Sequence, residues 1–228
     1  MFGRIARRYD LANRVLSCGI DIYWRIRLVE GVRREHPSEV LDLATGSGDV
    51  AFAMERALGP SVGILGVDFC APMLEEAEAK KALGSGRHPR LAFAQGDALA
   101  LALPDESFDV VTIAFGLRNM ADRGRCLSEI RRVLRPRGCL FVLEFSRPRP
   151  WVRPLYGFHL RRVVPAVAGL LTGDRAAYDY LGESIGAFPG REELSGEIRS
   201  AGFADVTATP MTLGIVALHA ARRGPALN

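Results

Sequence analysis

Two carboxylates and a glycine turn are the residues whose types and spacing point most directly to chemistry. Residues 40–49 read VLDLATGSGD, and residues 64–68 read ILGVD. Gly46 and Gly48 leave the backbone bare for the close approach of a ligand. Asp68 lies twenty residues beyond Gly48, where an acid can bind the hydroxyls of a ribose. The pattern therefore predicts a site for an adenosine cofactor.

Two adenosine cofactors are compatible with this turn. Residues 46–51, GSGDVA, match the GxGxxA fingerprint of NAD enzymes, although structural glycine turns often produce a lone match of this kind. Three features favour S-adenosylmethionine (SAM). Asp42 precedes the turn, where its carboxylate can meet the ammonium group that SAM has and NAD lacks. Asp97 and Ala98 follow a predicted strand and supply an acceptor for an adenine amino group, and the closing strand pair is typical of methyltransferase sheets.

Alternating strands and helices must position these residues. Apolar periodicity and breaker residues predict strands at 40–44, 62–68, 91–95, 110–115 and 139–145, with helices at about 48–58, 72–83 and 122–134. The last of these strands is continuously apolar except at its end, as a strand covered on both faces should be. The alternation predicts a mostly parallel sheet.

The alternation breaks near residue 150. Residues 151–190 show helical stretches without a strand pattern, and a helix at about 191–201 follows. The strands predicted at 204–211 and 214–222 are too close in sequence for a parallel crossover, so they indicate an antiparallel hairpin. We therefore expect a single α/β domain with a Rossmann-like, seven-stranded, mostly parallel sheet, an antiparallel C-terminal hairpin and a helical insertion. Its expected parts are an N-terminal helical cap (1–36), a cofactor-binding core (37–150), a helical substrate lid (151–190) and a terminal helix with the hairpin (191–228).

Composition limits the class of protein and its surroundings. The chain has 228 residues, of which 48% are hydrophobic and 25% charged, as is ordinary for a globular protein. No apolar run approaches the roughly 20 residues that span a bilayer, and residues 1–10 lack the apolar core of a signal peptide. The four cysteines have no CxxC spacing and indicate neither a zinc site nor a disulfide framework. We expect a cytoplasmic protein without a metal.

The net charge of +4 is modest, but it is distributed unevenly. From Arg147 to Arg175, six arginines accompany a single acid, Asp174, with aromatic residues among them. A basic and aromatic stretch of this kind suits peripheral contact with an anionic membrane surface. A solvated helix face is an equal alternative. Nucleic acid is disfavoured as a partner, because no binding motif accompanies the charge.

The whole chain resembles the UbiE/MenG/Coq5 family of quinone-biosynthetic C-methyltransferases. The likeness is carried by MFGRIARRYDLAN at 1–13, FDVVTIAFGLRN at 108–119, RRVLRP at 131–136, LEFSRP at 143–148, YLGES at 180–184, FP at 188–189 and GIVALH at 214–219. The runs FGLRN and GIVALH discriminate far better than the glycine turn, which any class I methyltransferase contains. Three positions depart from the family: Cys70 replaces the usual serine, Ala114 stands where serine can occur, and Arg137 replaces a glycine of the common Pro-Gly-Gly ending.

The resemblance implies SAM-dependent methylation of a ring carbon of a prenylated hydroquinone, such as demethylmenaquinol in menaquinone biosynthesis. It implies that the cofactor is bound by Asp42, Thr45, Gly46, Ser47, Gly48, Asp68, Phe69, Asp97, Ala98 and Ala114. Arg118 would hold a phenolate or a water molecule, Asn119 would orient it, and Tyr9 would cover the cofactor or bond to the substrate. The alternatives for these three are a structural ion pair, a helix cap and a packing role.

Two other function classes remain open. One is a methyltransferase of specialised metabolism that forms O-, N- or C-methyl products on this scaffold, and the other is a non-catalytic quinone-binding or assembly protein. The intact Asp42, glycine turn and Asp68 argue against the second, and the FGLRN run argues against the first. The sequence does not distinguish a naphthoquinol from a benzoquinol acceptor. It also leaves open the prenyl length, the proton acceptor, the oligomeric state and whether the protein also sits at the inner face of the membrane.

Overall fold

A seven-stranded sheet organises the chain in the computed structural model, which describes residues 17, 19–84, 89–163 and 182–224. The strands are β1 (Glu39–Leu43), β2 (Gly63–Asp68), β3 (Leu91–Gln95), β4 (Phe108–Ala114), β5 (Leu134–Phe145), β6 (Phe203–Met211) and β7 (Val216–Arg223). Their order in the sheet is β3-β2-β1-β4-β5-β7-β6. The neighbouring pairs from β3 to β5 are parallel, whereas β7 runs antiparallel to both β5 and β6. The predicted fold class, including the C-terminal hairpin, is confirmed.

Helices connect the strands and cover the sheet. They are α1 (Ile20–Arg34), α2 (Asp49–Leu58), α3 (Ala71–Leu83), α4 (Arg123–Val133), α5 (Arg153–Phe158) and α6 (Arg191–Ser200). Short 3₁₀ turns occupy Leu117–Asn119 and Thr212–Gly214, and a π-helical turn occupies His159–Val163. The strand order reverses between β1 and β4, so a crevice forms outside the carboxyl ends of these two strands.

The core consists of two apolar layers, one on each face of the sheet. Neighbouring residues of β1, Val40 and Leu41, belong to different buried clusters, because successive side chains of a strand point to opposite faces. Residues of α1 and α2 complete one layer, and residues of α4 and α6 complete the other. Both faces of the sheet are therefore covered, which explains the continuous apolar runs in the sequence.

The start of β5 differs from the sequence prediction. The strand was predicted to begin at residue 139, but it begins at Leu134, and its pairing with β4 is irregular over residues 135–138. Gly138 allows this, because a Cβ there would lie 2.8 Å from the carbonyl oxygen of Arg135 and 3.0 Å from that of Asp109. The irregularity lies at the amino end of the strand, away from the crevice.

Candidate active site

A cavity of about 1050 Å³ lies at the carboxyl ends of β1 to β4. Most of the residues that we predicted to bind the cofactor or to act in catalysis line this cavity. They are Asp42, Thr45, Gly46, Ser47, Asp68, Phe69, Asp97, Ala98, Ala114, Arg118 and Asn119. Gly48 is the exception among the described residues. Tyr9, the remaining predicted residue, lies outside the described residues. Sequence positions up to 77 residues apart thus meet in one space.

The glycine turn after β1 shapes the middle of the cavity. Gly46 and Gly48 have φ values of 58° and 83°, which glycine adopts without strain. A Cβ at Gly48 would lie 2.8 Å from the ring of Phe93 and 2.9 Å from that of Phe52. Gly48 therefore packs the turn against the helix and strand behind it, whereas Gly46 faces the cavity.

Asp68, at the end of β2, stabilises the glycine turn by hydrogen bonding. Its Oδ2 accepts a hydrogen bond from the Gly46 backbone N–H at 2.8 Å, and its Oδ1 accepts one from the Cys70 N–H, also at 2.8 Å. A carboxylate oxygen can accept more than one bond, so both oxygens remain able to receive ribose hydroxyls. Asp68 thus has a structural task as well as the binding role predicted for it.

Asp42 is a buried carboxylate beneath the turn, with 1% of its surface exposed. It accepts hydrogen bonds from the hydroxyls of Thr112 at 2.6 Å and Thr45 at 2.7 Å. The pKa of Asp42 is raised from 3.8 to about 6, chiefly by burial and also by the charge of Asp68, against the opposing effect of the two threonine hydrogen bonds. A ligand cation bound here would stabilise the ionised carboxylate and offset the cost of its burial.

The side of the cavity at β2 and β3 suits a flat base. The Phe69 side chain is 74% exposed and borders the cavity, so its ring is free to cover an adenine. Asp97 is exposed, and its Oδ1 accepts a hydrogen bond from the Leu99 N–H at 2.9 Å. The second carboxylate oxygen remains available to an amino group, while Ala98 is buried beside it.

The side at β4 and β5 contains a buried ion pair, which the sequence analysis gave as the alternative role of Arg118 without naming its partner, Glu144. Arg118 Nη1 lies 2.9 Å from Glu144 Oε1, and the side chains of the pair are 2% and 0% exposed. The backbone N–H of Arg118 donates to Glu144 Oε2 at 3.3 Å. A lone acid near the end of an apolar strand could have indicated this pair, because a buried charge requires a partner.

Aromatic rings surround the guanidinium of Arg118. Its Cζ lies 5.2 Å from the ring centre of Phe145 and 6.0 Å from that of Phe115, and Trp24 packs against both rings. Tyr156 also borders this space; burial raises the pKa of its phenol, with the Arg118 charge acting in the opposite direction. Rings and a polar group together form a pocket suited to a flat aromatic ligand.

Asn119 belongs to the 3₁₀ turn that carries Arg118. One alternative for it was to cap the next helix, but the N-cap of α4 is Asp122, whose side chain accepts from the Arg125 N–H. Asn119 borders the cavity instead. Its role in catalysis stays a prediction.

Other chemistry is limited in the part of the chain that is described. Cys126 and Cys139 are buried, and burial raises the pKa of each thiol to about 12, so neither is a reactive thiolate. Among residues 17, 19–84, 89–163 and 182–224, no three acids, histidines or cysteines are grouped as metal ligands. Over the same residues, no helix has the length and apolar character to cross a membrane.

Comparisons with known proteins identify relatives over nearly the full chain. The model of the ubiE/COQ5 methyltransferase family matches residues 1–223. A demethylmenaquinone methyltransferase of Thermus thermophilus is 45% identical, covering 98% of this chain and 100% of that protein. The ubiquinone/menaquinone biosynthesis C-methyltransferase UbiE of Geobacter sulfurreducens is 42% identical, covering 98% and 87%. A solved SAM-dependent methyltransferase from Aquifex aeolicus superposes with a TM-score of 0.60 at 17% identity, covering 86% and 89% of the two chains, which indicates the shared fold.

Proposed function

The chain belongs to the ubiE/COQ5 methyltransferase family, and from this premise we propose that it transfers the methyl group of SAM to a ring carbon of a demethylated prenyl quinol. The conversion of demethylmenaquinol to menaquinol is the reaction that its relatives' names favour. One observation supports the proposal most directly. A single cavity connects the carboxylates of Asp42 and Asp68 with the aromatic pocket of Arg118, so a donor and an acceptor can meet inside it.

The residues of the cavity fit SAM. Five aspartates and two arginines line its described part, namely Asp21, Asp42, Asp49, Asp68, Asp97, Arg25 and Arg118. This excess of acids favours a ligand with a net positive charge. Asp68 would bind the ribose and Asp97 the adenine, while Asp42 would accept the ammonium group. When bound, SAM supplies an electrophilic methyl group to the ring carbon, which gives up a proton as the new bond forms.

The protein's contribution to the reaction is alignment, charge and exclusion of water. The rings of Trp24, Phe115 and Phe145 hold a flat acceptor in an apolar pocket, where alignment with the methyl group lowers the barrier. Arginine does not act as a base, so Arg118 would stabilise the phenolate of the acceptor. Glu144 balances the charge of Arg118 and keeps its guanidinium in place.

The reaction can be tested with methyl-labelled SAM and either the quinol or the quinone form of the acceptor. Only the reduced ring is rich enough in electrons to attack a methyl group, so we expect label on a ring carbon with the quinol and none with the quinone. The rate should rise with pH, because a free phenol has a pKa near ~10. Mass spectrometry and NMR locate the label. Label on oxygen, or equal rates with both forms, would support the specialised-metabolism alternative instead.

We also propose that the prenylated acceptor enters the cavity from a membrane surface, by way of α5. Trp151, Leu155 and Phe158 are 69%, 73% and 58% exposed, and Leu155 and Phe158 also border the cavity. Exposed arginines at Arg149, Arg153 and Arg162 accompany them. Exposed apolar side chains with adjacent cations suit the interface of an anionic bilayer. The remainder of the proposed lid, residues 164–181, lies outside the described residues.

This membrane contact predicts salt-sensitive sedimentation with liposomes that contain anionic lipid. Replacing Arg149, Arg153 and Arg162 together by glutamine should weaken binding by about 3 kcal/mol, roughly a hundredfold, since each basic residue near the surface contributes about 1 kcal/mol. Arg33, Arg34 and Arg56 are also exposed, but they lie at the carboxyl ends of α1 and α2, at the opposite edge of the sheet. Replacing these three is the matched control and should change little. If the affinity for liposomes changes neither with salt concentration nor with either triple replacement, the electrostatic contact is rejected.

A further inference from the structure

An ion cluster joins α1 to the wall of the cavity. Arg25 Nη1 donates to Asp49 Oδ2 at 2.8 Å and lies 3.3 Å from Asp21 Oδ2, one helical turn away. Lys80 Nζ donates to the other oxygen of Asp49 at 2.9 Å. Asp21 is buried, and its Oδ1 accepts from the Ser17 hydroxyl at 2.7 Å. Two aspartates thus hold the guanidinium of Arg25 in one position, and Asp21, Arg25 and Asp49 all border the cavity.

The order of the strands decides which part of a bound cofactor reaches this cluster. Asp97 follows β3 and Asp68 ends β2, so the adenosine lies on that side of the glycine turn. Asp42 lies on the next strand, β1, and its carboxylate would accept the ammonium group. The amino-acid end of the cofactor therefore points toward β1 and toward α1, which contains Arg25 and packs against α2, the helix that follows the glycine turn.

A zwitterionic amino acid brings a carboxylate as well as an ammonium group, and the described cavity wall contains two arginines that could receive it. Arg118 is paired with Glu144 at the β4–β5 side. Arg25 is close enough to Asp42 for its charge to lower the pKa of that carboxyl. Of the two arginines, Arg25 is thus the one whose charge acts on the proposed ammonium site.

Arg25 retains a free hydrogen-bonding edge. Its Nη1 donates to Asp49 and forms an ion pair with Asp21, whereas its Nε is buried and has no hydrogen-bond partner among the described residues, as is also true of Arg118 Nε. A buried donor without a partner is unfavourable. A guanidinium presents Nε together with a second nitrogen as a planar fork that matches a carboxylate. The free edge is therefore chemically suited to a ligand carboxylate.

We propose that Arg25 binds the carboxylate of the methionine moiety of SAM, and that Asp21 and Asp49 position the guanidinium for it. The proposal rests on the proposed use of SAM and names the residue that recognises one particular group of it. Together with Asp42, Arg25 would recognise both charged ends of the amino acid. Adenosine ligands without an amino acid would then lose two charged contacts.

Calorimetric titration with three ligands tests this assignment without any turnover. The ligands are S-adenosylhomocysteine, its decarboxylated analogue and 5′-methylthioadenosine, which lacks the whole amino acid. Arg25→Gln should weaken S-adenosylhomocysteine binding at least about tenfold, the scale of one charged hydrogen bond. Binding of the other two ligands should change less than about twofold. Arg27→Gln is the matched control, since Arg27 lies on the same helix, pairs with Glu30 and does not border the cavity.

The outcomes separate the assignment from its alternatives. Equal losses for all three ligands would overturn it, because Arg25 would then only support the glycine turn. An unchanged affinity for S-adenosylhomocysteine would also overturn it. If Arg25→Gln does not fold, Arg25→Lys keeps the charge and the aspartate contacts but loses the fork, and it must still weaken S-adenosylhomocysteine alone. Failure of the wild-type protein to bind any of the three ligands would reject the proposed function instead.

Discussion

Replacing Asp42 by asparagine is expected to make the ligand-free protein more stable at pH 7 and, at the same time, a much weaker binder of SAM. The pKa of Asp42 is raised by burial from 3.8 to about 6, which corresponds to about 3 kcal/mol at about 1.4 kcal/mol per pH unit. Asparagine is similar in shape and has no charge to bury. The variant should therefore gain up to about 3 kcal/mol in its free energy of unfolding.

The size of this effect depends on pH, while its sign stays the same. Below pH 3.8 the carboxyl is neutral in the folded and unfolded states, so Asp42 costs nothing. Between 3.8 and about 6 it ionises in the unfolded state only, and the cost of folding grows. Above about pH 6 Asp42 is ionised in both states, and its destabilisation of the folded state has reached its full value. The stability gained by Asp42→Asn should accordingly be absent at the acid end of this range and fully present at neutral pH.

SAM binding should respond in the opposite direction. The asparagine lacks the negative charge that would pair with the ammonium group, and the loss of a hydrogen bond between charged groups corresponds to about 1.5–3 kcal/mol, or roughly ten- to a hundredfold in affinity. For the wild type, affinity should also fall as the pH drops below about 6 and Asp42 becomes protonated. Denaturant unfolding and calorimetry at several pH values measure both effects.

Asp109 provides a control with the opposite sign. Its pKa is lowered, since hydrogen bonds from Arg135 and from the Glu39 and Ser38 N–H groups outweigh its partial burial. It lies at the amino end of β4, away from the cavity. Asp109→Asn should therefore destabilise the protein at neutral pH and leave SAM affinity unchanged. A loss of stability in both variants would contradict the assignment of Asp42 as a strained carboxylate kept for binding.

Replacing Glu144 by glutamine is expected to have the largest effect on stability. The pair of Arg118 and Glu144 is almost completely buried, and removing one partner of a buried pair costs about 3–5 kcal/mol because the other charge is left uncompensated. Thermal or denaturant unfolding measures the loss. Arg123 and Glu197 form a bidentate pair that is 35% and 34% exposed, so Arg123→Gln should cost only about 0–1 kcal/mol.

A double replacement separates the structural role of Arg118 from its catalytic role. Apolar residues in place of both charges often restore stability, so Arg118→Met with Glu144→Leu should fold better than Glu144→Gln alone. Turnover should nevertheless remain lost. The milder Arg118→Lys keeps the charge but lacks the planar fork, and it should lower turnover at least about tenfold with little change in SAM affinity. Recovery of turnover in the double variant would show that Arg118 serves only the fold.

The sequence by itself predicted the fold class, most of the elements and the family, and it identified residues that line one cavity in the structure. A glycine turn, an acid at the end of a strand and a change from strand to helix periodicity are local features, so they can be recognised without knowledge of the fold. Asp42, Gly46 and Asp68 lie where their positions in the strands and turn required. The irregular start of β5 was not predicted, because it depends on the close approach of β4 and not on residues 135–138 alone.

Only the tertiary structure decided which charges meet. Glu144 lies 26 residues from Arg118 in sequence, and Asp49 lies 24 residues from Arg25. Neither spacing belongs to a helix or a strand, so no periodicity relates the partners. Strand order and the packing of α1 against the sheet bring them together, and burial then sets the cost of every unpaired charge. The sequence therefore identifies the groups that can do chemistry, whereas the three-dimensional arrangement determines which of them are neutralised and which remain free for a ligand.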